Sequence, residues 1–456
     1  MKKKLIVAAW LVLVLVAVIP FFSGIIMERI VKKTVEDFNL LYGSTPIGYS
    51  CEIVSYDRGY FSTDLVMKLD MGILKDIYGV ESVVFKEHAR HGYLGVVSTT
   101  SLDENVWYNS FVNDRVQGQD PLHIKTYYSP FGDIETTIIL DEFSTSIKDE
   151  DLHVKKGEFV IDSDKTLQNI GISIDWQGFD IGQKLSLGKV SGISDMEMIS
   201  NYIWDGSSDI VFKSLKISDK NADFEISDMK VESYRDADRD ANTLASDTHI
   251  TISSIQSKSK KIDDASARFA LKGVNLDVFE EFMNIYFQLI SQLASNVSIN
   301  DASRENAEIV KKQMTQIGLK MIGAYEKLLK EGLEMQISDL QFKLPEGEVK
   351  AGITLRLLKD MTFAQFMPVI NEPQMLLDII YLESAISLPV KLVGENQRML
   401  EPAFPEMQTG LFIKEGDYLV SRMETKDGNL YINGNVVPLD KLPQFGGTRP
   451  KPQTVY

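Results

Sequence analysis

The sequence predicts an α+β fold that is mainly antiparallel β: an N-terminal transmembrane helix, then a long meandering antiparallel sheet with a helical hairpin and further helices packed on it. Three observations predict it. An unbroken apolar run fills Leu5 to Phe22, a two-residue hydrophobic period dominates from about Ser50 to Val274, and the period becomes helical after Asn275. The chain therefore divides into a cytoplasmic stub with the span (1–30), a β-rich region (31–275), a helical hairpin (276–332), a C-terminal β/α region (333–442) and a disordered tail (443–456).

The first segment sets the location. Lys2, Lys3 and Lys4 precede the apolar run, which with the residues up to Met27 supplies the ~20 helical residues that cross a bilayer. The run ends in bulky residues, "VIPFFSGIIMERI", without the small-residue exit of a cleaved signal peptide, so an uncleaved signal anchor is expected. The leading lysines keep the N-terminus in the cytoplasm and send the body across; in a bacterium that body is periplasmic.

Charge narrows the partners. Without the three leading lysines, 45 Lys+Arg of the chain's 48 face 65 Asp+Glu, a balance of −20 for the exported part. Nucleic acid is excluded as a partner by that sign, and solubility is its simplest use. The single cysteine, Cys51, rules out an intramolecular disulfide and reads as a lone buried thiol.

Strand patterns then recur every ten to fifteen residues, from "SCEIVSYD" and "FSTDLVMKLDM" to "THITISSI" and "ARFALKGV", separated by turn signals such as Pro130 to Asp133 and Asp236 to Asp240. Ile170, Ile172, Ile174 and Trp176 alternate with Gly171, Ser173 and Asp175, as in a sheet with one dry and one wet face. In "YDRGYFSTDL", Asp57, Arg58 and Gly59 fit a three-residue hairpin loop with Gly59 in the left-handed position.

Helical spacing begins with Val278, Phe279, Phe282, Tyr286, Leu289, Ile290 and Leu293. After a break that offers Asn300 or Asp301 as a cap, it resumes with Val310, Met314, Ile317, Met321, Ala324 and Leu328. That second stripe serves either a hairpin packed on the sheet or a homotypic coiled coil. Further strands follow at "LEMQISDLQFKL", "EVKAGITLRLL", "YLESAISLPV", "YLVSRMETKD" and "NLYINGNVVPL", with helices expected around Phe363 to Ile379 and Lys391 to Met407.

Chemistry is sparse. His88 and His91 stand beside Glu87, but on a strand an odd offset sends them to opposite faces, which argues against a shared metal. Asp236, Asp238, Asp240 and Asp247 match the spacing of a calcium loop, yet Ala241 replaces the turn glycine, and an acidic hairpin explains them as well. No catalytic motif and no cofactor motif appears, so no enzyme activity and no cofactor is expected.

Three short motifs nevertheless resemble one family. "YDRGYFSTDL", carried by Tyr56, Arg58, Gly59, Phe61 and Ser62, is similar to the Tyr-x-Arg-Gly-x-Phe-Ser signature of the bacterial YdgA-like proteins; "FKEHARHG" matches at His91 and Gly92. "DGNLYINGNVVPL" resembles that family's terminal element at Gly428, Leu430, Asn433, Gly434, Pro438 and Leu439. Tyr93 departs from the pattern, standing where the family usually has proline. The resemblance implies an inner-membrane anchor through residues 5–27, a periplasmic body and a homodimer, and it carries no catalytic residues. The first expectation is a self-associating scaffold or envelope-biogenesis factor of unknown biochemical activity, with lipid or an envelope protein as partner. The alternative is a carrier of lipid or another apolar ligand in a groove between sheet and helices.

Overall fold

The N-terminal helix extends well past the apolar run: in a computed structural model of the chain, α1 covers Lys2–Tyr42. The structure describes residues 2–43, 45, 48–72, 74–75, 79–147, 150–218, 223–258, 260–297, 304–362, 377–393 and 410–437, with the side chains of all these except 2–17, 291–297 and 304–314. Among the described residues no helix is long and apolar enough to cross a membrane. Leu5–Phe22 falls mostly on residues whose side chains lie outside the description. What is described corrects the end of the expected span, because Ser23 and Met27 are buried, at 7% and 0% exposed. They pack on protein.

The chain divides into two compact units, Met1–Asp223 with Met283–Ile317, and Phe224–Phe282 with Gly318–Tyr456. In the first, ten strands follow one another antiparallel: β1 (Ser50–Arg58), β2 (Ser62–Asp70), β3 (Ser82–His91), β4 (Val96–Ser101), β5 (Leu122–Tyr128) and β6 (Ile134–Leu140) come first. A ribbon of β7 (Phe143–Ile147) and β8 (Glu150–Val154) leaves the sheet, which resumes with β9 (Gly157–Ser163) and β10 (Asn169–Trp176). The ribbon gains β11 (Phe179–Ile181) and β12 (Leu185–Leu187), and rejoins where β13 (Val190–Ser200) pairs the long β14 (Ile203–Ser218). The meander expected from the two-residue period is present. β4, the ribbon strands β7, β8 and β11 and a short helix α2 (Val106–Arg115) were not legible as elements.

The dry face is closed by α1. Met27, Ile30 and Val31, spaced three and one apart on one side of the helix, meet Leu65, Ala89, Val96 and Tyr128 from β2 to β5. Full burial of each large apolar side chain there contributes roughly 1.5–3 kcal/mol. On the opposite face, Asp64, Lys86, His88 and Arg90 point to solvent, so one face is dry and one wet, as the alternation predicted. Asn105 completes the edge by a different device: its amide accepts from Val84 N at 2.8 Å and donates to Val84 O at 2.7 Å, standing in for a strand neighbour.

The second unit repeats the meander with β15 (Asp223–Asp238), β16 (Thr243–Ser257) and β17 (Lys260–Asn275). Helices α3 (Leu276–Val297) and α4 (Arg304–Leu328) follow where the helical period predicts them; only their bases, up to Phe282 and from Gly318, belong to this unit, and Met283–Ile317 belongs to the first. Then β18 (Glu334–Leu344) returns to pair β17, followed by β19 (Gly347–Leu357) and β20 (Ile380–Pro389). After the single turn α5 (Val390–Val393) come β21 (Ile413–Glu415), β22 (Tyr418–Lys426), β23 (Asn429–Ile432) and β24 (Asn435–Val437). β22 pairs β20, β21 and β23 in turn. The bases of α3 and α4 are fastened by Lys327 to Glu281 at 2.7 Å and by an edge contact of the Phe282 and Tyr325 rings at 4.9 Å. Ile317 and Ala324 are buried within the chain, so two members of the expected coiled-coil stripe are already in use. Asn300, Asp301, nearly all of Phe363–Ile379 and of Lys391–Met407, and the tail 443–456 lie outside the described residues.

Backbone bends mark this second sheet. Asp228, Asp264 and Asp339 all have φ near +50°, at 49°, 49° and 52°, and Asp264 and Asp339 lie where the register slips between neighbouring strands. Aspartate tolerates that conformation better than most residues, and an extra residue at such a point bends and twists the strand.

Candidate functional site

Between α1 and the dry face of the first sheet lies a groove of about 420 Å³. Val31, Thr34, Val35 and Phe38 form its helical wall; Met67, Leu69, Phe85, Ile124, Ile138 and Ile161 form its floor. The strand positions are those of one parity, so the same alternation that makes the face dry makes the groove apolar. Its size lies within the range of small-molecule sites, and its lining is of the type such sites use.

One carboxyl interrupts that lining. Glu87 shares the parity of Phe85 and Ala89 and is 2% exposed, and the Tyr128 hydroxyl donates to its Oε1 at 2.9 Å. Burial pushes the Glu87 carboxyl above the usual range, although hydrogen bonds from Ser98 and Tyr128 oppose the shift. Burial also drives the Tyr128 phenol well up, reinforced by the Glu87 charge. The Tyr56 hydroxyl is buried near Thr63, and burial raises it to about 12 although the Thr63 hydroxyl opposes the shift. The groove is thus a hydrocarbon-like cleft with the hydrogen-bonded Glu87 carboxyl and Tyr128 hydroxyl on one wall.

The N-terminal motif residues gather where α1 meets the sheet. Tyr56 and Arg58 are in β1, and the Arg58 guanidinium bonds Glu28 of α1 at 2.9 Å while lying 5.0 Å from the centre of the Phe21 ring. Lys32, one turn along the helix, and Arg58 together hold the Glu28 carboxyl below its ordinary range. The hairpin is real, but its loop differs from the expectation: Asp57 and Arg58 pair with Asp64 and Thr63 inside the ladder, so the turn begins at Gly59. Gly59 is not left-handed; a Cβ there would crowd the Ser62 carbonyl at 3.3 Å, which accepts from Gly59 N at 2.8 Å. Phe61 is exposed at the tip, and its carbonyl accepts from His91 N at 2.8 Å. Ser62 opens β2.

His91 is structural in its surroundings. Its Nε2 lies 2.8 Å from Thr63 Oγ1 and its Nδ1 3.0 Å from Tyr60 O. The ring is pressed against Gly24 of α1, where a Cβ would stand only 2.3 Å from it. Next to it Gly92 accepts from the Ser23 hydroxyl at 3.0 Å. His88 faces the other way, to Asp64 at 2.7 Å, so the two histidines separate as the strand parity requires. Tyr93, at the departure from the family pattern, occupies an exposed turn closed by Gly92 N to Gly95 O at 2.8 Å.

The C-terminal motif has a local explanation of its own. Asn433 and Gly434, with φ of 50° and 78°, form the two-residue turn between β23 and β24, and Asp427 with Gly428 does the same between β22 and β23. The Asn433 amide accepts from Arg422 N at 2.9 Å and donates to Gly410 O and Leu411 O, each at 3.2 Å. Leu430 packs with Ile432 and Val437. Pro438 and Leu439 lie outside the described residues.

Other candidates dissolve. Among the described residues no three metal-ligating side chains converge. Asp236 and Asp238 lie within β15, Asp238 caps the turn through Ala241 N at 2.8 Å, and Asp247 faces Arg268 at 3.3 Å. An open depression of about 740 Å³ on the first unit is lined by Asp133, Glu135, Asp162, Asp164, Asp195, Glu197 and Asp205, which read as a solvated acidic surface. Sequence reasoning missed the groove. Glu87 was weighed only beside the histidines, although its parity with Phe85 marks it as inward-facing, and Val31, Val35 and Phe38 carry helical spacing just beyond the apolar run.

Comparison with known proteins gives the following. A family model described as "Bacterial protein of unknown function (DUF945)" matches residues 1–440. Protein YdgA of Escherichia coli (strain K12) is 21% identical over 372 residues, which cover 75% of this chain and 71% of that protein. No solved structure matches.

Proposed function

Since this chain belongs to the DUF945 family of bacterial proteins of unknown function, in keeping with its YdgA-like motifs, we propose that it is an inner-membrane-anchored periplasmic protein that binds lipid acyl chains in the groove under α1. The observation that carries the reading is the groove itself: about 420 Å³ of apolar space walled by the same helix whose N-terminal apolar run is, on this reading, the bilayer anchor. Leu5–Phe22, at 1.5 Å per residue, spans about 27 Å, close to a hydrocarbon core of ~30 Å. Val31 stands nine residues beyond Phe22, about 14 Å along the helix, so a lipid leaving the leaflet reaches the groove along α1. Glu87 and Tyr128, already paired with each other, offer hydrogen-bonding groups to a lipid head or ester that enters the groove.

The test is direct. Full-length protein extracted in mild detergent and washed extensively should release a stoichiometric lipid detectable by mass spectrometry. Ile138→Trp, which fills the groove, should fold and release none. A folded wild-type protein that carries no lipid, or equal lipid in the filled variant, removes the reading. The full chain is required, because Met27 belongs to the core and a truncation at residue 30 would expose Leu65 and Ala89.

A further inference from the structure

One end of the first sheet presents apolar side chains that the fold does not use. The β1–β2 turn exposes Tyr60 and Phe61, the β3–β4 turn Tyr93 and Leu94, and the β5–β6 turn Phe131; Leu94 and Phe131 are 81% and 87% exposed. In an antiparallel meander alternate turns share one edge, and with strands about 4.8 Å apart these three tips form a row roughly 20 Å long.

The tips are held, not frayed. Gly59 N bonds Ser62 O at 2.8 Å, Gly92 N bonds Gly95 O at 2.8 Å, and Ser129 N bonds Asp133 O at 2.9 Å. Tyr127 links neighbouring tips by donating to Leu94 O at 2.6 Å. Large apolar groups fixed outward on ordered turns mark a contact surface, whereas scattered exposed leucines would need no explanation.

Helix α1 identifies the occupant. Its apolar run ends beside these turns: the Phe21 ring lies 5.5 Å from that of Tyr60, Ser23 bonds the Gly92 carbonyl, and Phe22 is itself 55% exposed. We propose that the three hairpin tips and Phe22 form a docking face that inserts shallowly into the phospholipid leaflet from which α1 emerges. The inference rests on the anchored reading above and adds to it that the sheet is held end-on against the membrane rather than tethered above it. Tyrosine rings suit the headgroup layer and Phe and Leu the acyl boundary beneath it. The face stops at Asp133 and Asp164, where the carboxylates of the open depression begin, which keeps the insertion shallow. A protein partner on these tips would have to share its footprint with the lipid around the emerging helix.

The experiment uses the full chain in phosphatidylethanolamine and phosphatidylglycerol vesicles. In a Cys51→Ser background, Leu94→Cys, Phe131→Cys and, as control, Glu104→Cys at the other end of β4 carry an environment-sensitive fluorophore. Flotation after an alkaline wash reads the anchor. Quenching by lipids with a nitroxide near the headgroup reads the tips. Labels at 94 and 131 should be quenched at least about twofold more than the label at 104. Protein that floats but shows equal quenching at all three sites overturns the docking face and leaves the anchor standing; protein that does not float removes both. Disulfide crosslinking between unlabelled Leu94→Cys thiols of two copies under an added oxidant, with no lipid quenching of the labelled protein, replaces the bilayer by a second copy and also overturns the proposal.

Discussion

The Tyr128 hydroxyl bonds the Glu87 carboxyl at 2.9 Å on the wall of an apolar groove, with both side chains shut off from solvent. Burial raises the Glu87 pKa from its ordinary 4.5 in the folded chain. The folded state therefore holds this proton more tightly than the unfolded state does. Its contribution to stability is full below about pH 4.5 and is lost as pH rises through the folded pKa, at about 1.4 kcal/mol per unit of separation. Glu87→Gln keeps an acceptor for Tyr128 and removes the ionisation. Urea unfolding at a series of pH values should show the variant more stable than wild type at pH 8 and flatter above pH 4.5; equal slopes would mean that Glu87 ionises freely.

Gly24 and His91 define the closest approach of α1 to the sheet. An alanine methyl would stand 2.3 Å from the imidazole, which Thr63 and the Tyr60 carbonyl hold in place. Gly24→Ala should cost roughly 1–3 kcal/mol despite its better helix propensity. Pairing it with His91→Ala should recover part of the loss, as a double-mutant cycle by thermal unfolding would register.

Arg58 ties the first hairpin to α1 through charge and through an aromatic face. With both partners about one quarter exposed, the Glu28 bond is worth about 1 kcal/mol and the contact with Phe21 about 0.5–1 more. Arg58→Lys should retain less than half of that, because lysine lacks the planar fork. Limited proteolysis after Lys32 or Lys33 should accelerate in Arg58→Ala before global unfolding does.

At the C-terminal turn, Asn433→Ala loses bonds to Arg422, Gly410 and Leu411 and places alanine at φ 50°. A loss of about 2 kcal/mol is expected, larger than for Asn433→Asp, which keeps the acceptor and tolerates the left-handed backbone. Chemical denaturation of the three proteins side by side checks the order.

Much of this was open to inspection in the residues. Period two gave the meander, period 3.6 gave α3 and α4, and Asn433-Gly434 is a two-residue turn on chemistry alone. What failed has physical causes. β4 reads "VVSTTS", too short and polar to stand out, while α2 alternates no faces. Gly59 was assigned a left-handed turn because glycine most often serves that purpose, whereas here it admits the Ser62 carbonyl. The groove was hidden because its two walls, Val31 to Phe38 and the inward residues of β2 to β9, are distant in sequence and each looks like ordinary core. The Asp264 and Asp339 bends show the same limit, since a lone aspartate in a strand carries no mark of the register it will break.

Strands β17 and β18 are neighbours in the sheet although α3 and α4 lie between them in the chain. Their ladder cannot zip outward from a tight turn, and closing so long an intervening segment is entropically slower than closing any hairpin nearby. Helices of this length form in about a microsecond, and once Glu281 and Lys327 meet, the ends to be joined are already close. The helical excursion then acts as a temporary clasp for the β17–β18 ladder during folding, while β18–β19 and β22 to β24 close through their own short turns.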